Sequence, residues 1–394
     1  MTVHPAFPTH AAEAAPLTVR VVEPLALSDD LAAAWDGLAA AASEPNPFVE
    51  RWCLQSALHL LDPERQARLV MVMTGSDGPL IGVMPLAPAA RYGPLPLRHV
   101  VGWAHPNHFH GAPLVRAGCE TLFWSILLGW CDAAPWAQTL VQVPRLTEDG
   151  PLHRALAEVV RGRGDEAEAV HREERALLES DLSPAAYWEA AMRGKKRKEL
   201  RRQANRLAEL GPLTFRQWRS GDAIEGWIDA FLDLEARGWK GRAGSALASQ
   251  SETEAWFRAI LAAAAEAGRL DMRALDLGER PIALLINFVA PPGAFSFKTA
   301  FDEEYARFSP GVLLQQANLD ILADARVAWV DSCAAPDHPM IDSVWRERRR
   351  LVWINAPLSG ASDRWRFRAL ARAEKIWRRL KRAAPKPPIE QDPS

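Results

Sequence analysis

A chain of 394 residues exceeds one average domain and points to two or three compact units, with two as the starting expectation. Hydrophobic residues make up 48% and charged residues 24%, the proportions of an ordinary globular protein with a sizeable core, which excludes wholesale disorder. A formal net charge of -2 argues against a dedicated nucleic-acid binder, so no DNA partner is expected.

In chain order, the opening MTVHPAFPTHAAEAAPLTVR lacks the basic start and unbroken apolar run of a signal peptide. Residues 1–16 and the tail from Pro385 read as flexible ends. LTVRVVEPL reads as a strand, and Ser28 caps an Ala-rich helix. ARLVMVM and PLIGVMPLAP form a hairpin around the turn signal GSDG. A helix over Leu122–Cys131, a strand TLVQVP and a helix from Pro151 complete a mixed αβ unit that ends near Asp181. Ser183 and Pro184 then open a long helical connector, closed by Gly211 and Pro212, which carries the run MRGKKRKELRRQANR. That run reads as a solvated face, or as a basic surface for lipid headgroups or the phosphates of a cofactor.

The second unit repeats the plan. A strand LTFRQW precedes helices over Ile224–Arg237 and Thr253–Ala267; the strands RLDMRALDL, RPIALLINFVA and GAFSFKTAFD follow, then a helix PGVLLQQANLDILADA and a strand VAWVDSC. The fold class expected is α/β (α+β): two tandem domains, each a mixed sheet flanked by helices, joined by a long helix. The expected units are residues 17–182, a connector over 183–211, a second domain over 212–358, and a basic amphipathic helix and tail over 359–394.

No segment reaches the roughly 20 apolar residues of a membrane span, and the four cysteines show no CxxC spacing, so a cytoplasmic, reducing setting is expected. GxSxG, P-loop and HExxH motifs are absent and none of the cysteines has a neighbourhood that marks it as a nucleophile, so no covalent enzyme intermediate is indicated. Ser309 and Pro310 start a helix whose first amides, on Gly311, Val312 and Leu313, can face a phosphate; an ordinary well-capped helix is the plainer reading. In EARGWKGRAG, Trp239 and Lys240 sit in a glycine-bearing loop, read either as an element closing over a ligand or as a helix end with Gly238 as a left-handed cap.

EARGWKGRAGSAL, the meander ending in FKTAFDEEYARFSPGVLL, and VDSCAAPDHPMIDSVWRERR together resemble the cellulose-biosynthesis-associated acetyltransferases (CelD/BcsL type), relatives of FemAB-like proteins with two GNAT-like domains. The likeness is best from Tyr187 to Arg350. It implies an acyltransferase with acyl-CoA as donor and no metal, the pyrophosphate lying on Ser309, Gly311 and Val312 and the loop residues Trp239 and Lys240 nearby. The usual Q/RxxGxG/A signature is missing, and some FemAB relatives use aminoacyl-tRNA instead. Such a reaction needs a proton acceptor, oxyanion donors and alignment. The candidates are His338 paired with Asp302, then Asp331, Lys298 and Glu235. His105, His108 and His110 in GWAHPNHFHGAPL are expected to line the cleft between domains and contact the acceptor, or simply to form a polar loop.

The C-terminal segment places Trp365, Ala369, Ala373, Ile376, Trp377 and Leu380 on one helical face and Arg364, Arg368, Arg372, Lys375, Arg379 and Arg382 on the other. This is the pattern of a helix on an anionic membrane surface, or of a terminal helix docked on the protein. A membrane contact favours an amphipathic acceptor, and the resembled group includes bacterial enzymes that N-acylate sphingoid bases to ceramide-type lipids. A sugar of an envelope polysaccharide is the alternative acceptor, and a non-catalytic pseudo-acyltransferase scaffold is the reading from another class.

Overall fold

A computed structural model describes residues 17–75 and 78–383, and of 377–383 only the backbone helix. The two proposed flexible ends, the centre of the GSDG turn and the side chains of Trp377, Arg379, Leu380 and Arg382 lie outside the described residues.

The first half runs β1 (Leu17–Val22), α1 (Asp29–Ala40), α2 (Arg51–Leu60), β2 (Arg68–Thr74), β3 (Leu80–Ala89), β4 (His99–Gly102), β5 (Leu114–Val115), α3 (Glu120–Ala133), β6 (Leu140–Thr147), α4 (Pro151–Gly162) and β7 (Glu168–Glu179). Ser28 caps α1 through its hydroxyl, with Asp29 and Asp30 adding negative charge in the first turn. The second half runs α5 (Pro184–Ala191), α6 (Gly194–Ala208), β8 (Leu213–Gln217), α7 (Glu225–Arg237), α8 (Trp239–Arg242), α9 (Ser251–Glu266), β9 (Leu270–Leu277), β10 (Arg280–Ala290), β11 (Gly293–Phe301), α10 (Pro310–Asn318), β12 (Trp329–Asp331) and β13 (Glu347–Pro357). A terminal helix, α11 (Ala361–Ala383), follows. The single connector helix is in fact two, because Met192 and Arg193 adopt extended backbone between α5 and α6.

Thirteen strands among the described residues form one mixed sheet, in the order β1-β2-β3-β4-β6-β13-β7-β12-β11-β10-β9-β8 with β5 on β3. The internal repeat is visible in the pairing. Each half has an antiparallel meander, β1 to β4 or β8 to β11, whose last strand pairs in parallel with the strand beyond the next long helix, β6 or β12. The halves then exchange strands. β7 leaves the first half to pair with β12, and β13 returns from the second half to pair with β6, while β7 and β13 pair with each other.

This exchange puts charged side chains inside the seam. Asp331 of β12 is fully buried between Arg175 of β7 and Arg349 of β13, at 2.6 and 3.0 Å, and also accepts from the Cys333 amide. Guanidinium forks suit such a buried carboxylate because they satisfy several lone pairs at once.

Of the two readings of the terminal helix, α11 docks on the body, but by a face other than the Trp365 stripe. Phe367 and Leu370 are buried against Leu140, and Asp165 pairs with both Arg364 and Arg368. Trp365, Ala369, Ala373 and Ile376 form an exposed stripe on the opposite side. None of the described helices is long and apolar enough to cross a membrane.

Candidate active site

β11 and β12 pair only from Gly293 to Phe295, against Trp329 to Asp331. Beyond Phe295 the two parallel strands part, so the second half of β11 has a sheet partner on the β10 side alone among the described residues. Its register against β10 slips in the same stretch: Lys298 faces Ile286 and Ser296 faces Asn287, which leaves Phe297 as the extra residue of a β-bulge. A bulge re-aims side chains and interrupts pairing, and here both happen where the strands diverge.

Lys298 follows the bulge and is largely buried, with its Nζ 3.8 Å from Glu235 Oε1 of α7. Glu235 also accepts from Lys240 Nζ at 2.8 Å and from the Leu247 amide at 2.8 Å. The loop after α7 folds back to make this possible. Gly241 passes so close to the Ala236 carbonyl that any Cβ would overlap it, which is why glycine is needed there. Gly238 has φ of -79°, so it is extended and not the left-handed cap its position implied. Glu303, just after β11, anchors the same loop by accepting from the Trp239 amide and from Arg242, each at 2.6 Å. Trp239 itself stands exposed at the rim.

Electrostatics sharpen this cluster. Burial, followed by the nearby Lys240 ammonium, lowers Lys298 to about 8 against the pull of Glu235. For Glu235, burial pushes upward, yet Lys298, Lys240 and the Leu247 amide prevail and hold it below the ordinary carboxylate value. The pair therefore contains an anion that stays ionised and a lysine that can give up its proton near neutral pH.

The histidine loop, expected at a cleft surface, is buried against β11. His105 packs on Trp256, Phe109 of the same loop on Phe297, and His110 on Phe295, with centroids 4.7, 5.8 and 6.0 Å apart. Burial drives all three histidines well down, so they are neutral imidazoles, and the Lys298 charge adds to the shift of His105. His105 Nδ1 has no hydrogen-bond partner among the described residues. No group of three His, Cys, Asp or Glu among the described residues is arranged to hold a metal.

The other proposed site residues are dispersed. Asp302 pairs with Arg280 at 2.5 Å and caps the Glu304 amide, and no hydrogen bond or ion pair joins it to His338. His338 lies two residues before Met340, whose sulfur would meet a Cβ on Gly311 at 2.6 Å. Asp331 is committed to the seam.

At the start of α10, Ser309 is left-handed (φ 54°), which swings its carbonyl over the first turn. The Val312 and Leu313 amides both donate to that carbonyl, at 3.0 and 3.1 Å, so two of the three expected anion donors are already engaged. Beneath the helix lies a buried polar network absent from the sequence reading. Asn287 donates to Asp271 and Asn318, Asn318 donates to Gln315, and Arg273 donates to the Ala317 carbonyl. The clue was available in LLQQAN, where polar residues recur at helical spacing inside an apolar run.

These features bear on what the chain resembles. Residues 194–338 match the acetyltransferase (GNAT) domain family. The span runs from α6 past α10 and β12, so the diverging strands, the bulge and the Glu235–Lys298 cluster all fall within the matched stretch. Among solved structures, FemX superposes with a TM-score of 0.56 at 9% identity, covering 87% of this chain and 98% of FemX. The C-terminal domain of a lysylphosphatidylglycerol synthetase from Agrobacterium fabrum gives 0.51 at 13% identity, covering 88% and 95%. A conserved protein of unknown function from Bacteroides thetaiotaomicron gives 0.51 at 12% identity, covering 82% and 97%. These likenesses establish a shared fold across both halves. No curated protein matches the sequence.

Proposed function

We propose that the chain transfers an acyl group from acyl-CoA directly to an amine, with Lys298 as the proton acceptor. The observation that carries this is a buried lysine near pKa 8, held beside Glu235 where β11 leaves β12. The donor would lie along the unpaired edge of β11, whose free backbone groups can hold a thioester and meet its developing oxyanion. Its pyrophosphate would approach Ser309, the Gly311 amide and Val312 once Met340 moves aside. Trp239 and Lys240 would close the rim.

The proton accounting is simple. Neutral Lys298 takes one proton from the incoming ammonium, and Glu235 faces the lysine ammonium so formed. The free amine attacks the thioester carbon, the C–S bond breaks, and the coenzyme A thiolate takes the second N–H proton. Lys298 then releases its proton to solvent. A proton acceptor is most effective with a pKa near the working pH, which Lys298 meets and Glu235, held low, does not; Asp302 and Asp331 are engaged by arginines. The neutral His105 and its two neighbours would back the acceptor side of the site.

We assign the acceptor to the lipid amines, sphingoid bases first, on two grounds. The α11 surface carries exposed apolar and basic side chains, and one structural neighbour is named for a lysyl-bearing phospholipid. An envelope-polysaccharide sugar is the second reading, favoured by the sequence likeness to cellulose-associated acetyltransferases. Calorimetric titration with acetyl-CoA and with a long-chain acyl-CoA tests both. Tight long-chain binding supports the lipid amine, acetyl-CoA preference supports the sugar, and binding of neither removes the acyl-CoA reading in favour of a scaffold or a tRNA-dependent transferase.

A further inference from the structure

The open face of α11 is unexplained by the chemistry above. The helix is fixed to the body on one side: Phe367 and Leu370 are buried, Lys375 meets Glu168 at 2.9 Å, Tyr92 donates to Glu374, and Asp363 accepts from the Thr139 amide at 2.9 Å. A helix held this way cannot turn its other face inward. Yet that face carries Trp365, 72% exposed, and Ile376, 59% exposed, with Ala369 and Ala373 between them.

Two further observations say what covers it. Residues 361–383 hold nine Arg or Lys against two Asp or Glu, a net +7 in a chain whose total is -2. Arg366 and Arg372 border the stripe on its two sides and are exposed. Along the Arg372 side runs a cleft of about 470 Å³, lined by Arg161, Arg368, Arg372 and Lys375 together with Asp165, Glu166 and Glu168. An apolar stripe between exposed arginines matches an acyl-chain boundary beneath anionic headgroups. A protein partner would have to supply apolar and acidic surface in the same strip.

We propose that α11 is a two-faced strap that seats the protein on an anionic bilayer, Trp365 and Ile376 entering the interface and the arginines meeting lipid phosphates while Phe367 and Leu370 keep the helix on the body. This seating uses no step of the transfer chemistry, although the lipid-amine acceptor proposed above draws on the same α11 surface.

The test is co-sedimentation of the full chain with vesicles of phosphatidylcholine alone or with a third phosphatidylglycerol, for the native protein, Trp365→Ala with Ile376→Ala, and Arg366→Glu with Arg372→Glu. Both pairs are surface changes, and circular dichroism verifies their fold. Expected are binding to the anionic vesicles only, a partition about tenfold lower for either variant, and loss of binding in high salt. Undiminished binding by both variants overturns the proposal, as does failure to bind anionic vesicles. A self-associated native protein in solution, dispersed by Trp365→Ala, would reassign the stripe to a second copy. Transfer to a water-soluble amine should be equal in all three proteins, so this result separates membrane seating from catalysis.

Discussion

Two buried carboxylates each gather two cations, and the difference between them separates architecture from chemistry. Asp331 lies at the seam where the halves exchange strands, wholly enclosed by the guanidiniums of Arg175 and Arg349. Glu235 lies beside the diverging strands and meets the ammonium groups of Lys240 and Lys298. Arginine does not lose its proton in a protein, so the first cluster is fixed in charge; a desolvated lysine does, so the second can change charge during a reaction. Strength of pairing alone would not tell them apart, whereas the identity of the cation does.

The largest effect should come from Lys298. Replacing it with Met, which keeps the bulk of the side chain, is expected to lower kcat about a hundred- to ten-thousand-fold in a coupled thiol-release assay while leaving the melting temperature near native. Lys298→Arg should not rescue, because its guanidinium cannot accept the proton. At the seam the pattern inverts: Asp331→Asn leaves two buried guanidiniums facing each other and should cost about 3–5 kcal/mol in denaturant unfolding. If Asp331→Asn unfolds like the native protein, the two clusters are not different in kind.

Smaller effects sharpen the contrast. Gly311→Val crowds Met340 and Phe301 at the head of α10 and should weaken acyl-CoA binding about tenfold by calorimetry. Unchanged affinity would remove that helix end from the donor site. The last effect is on stability. Lys298 titrates near 8 when folded against 10.5 for an ordinary lysine, so between these values the unfolded chain holds a proton the folded one has released. Stability contributed by this group therefore rises with pH from about 8 to 10.5, and Lys298→Met should flatten that rise in chemical denaturation.

Much of the fold was legible where local signals and tertiary outcome agree. β2, β3 and β9 to β11 alternate or run apolar between turn signals, and α1 and α5 begin at serines that do cap them. β7 and β13 were missed for one shared reason: Arg175 and Arg349 break the apolar pattern, and they point inward only because Asp331, from a distant strand, awaits them. Nothing local to HREERALLE or ERRRLVWINAP announces that partner. Which side of α11 meets the body was left open for a related reason, since a helical wheel cannot tell which apolar residues are covered when both sides carry some.

The candidate site was legible in its members and not in their grouping. Glu235, Lys240 and Lys298 each stood out by position, but their meeting depends on the return of the 238–247 loop and on the bulge at Phe297, both tertiary events. The pairing of His338 with Asp302 rested on proximity in type, and Arg280 claims Asp302 in the folded chain.

The most direct test compares the pH dependence of kcat/KM for amide formation in the native enzyme and in Glu235→Gln, with one acyl-CoA and one primary amine from pH 6 to 10. The acceptor's own titration is common to both proteins, so a difference between the curves reports on the enzyme. The account predicts a native rate that rises through about 8, and a Glu235→Gln rise displaced to lower pH, because removing the carboxylate removes the charge that favours Lys298 as an ammonium. Superimposable curves would contradict the assignment of Lys298 as the proton acceptor.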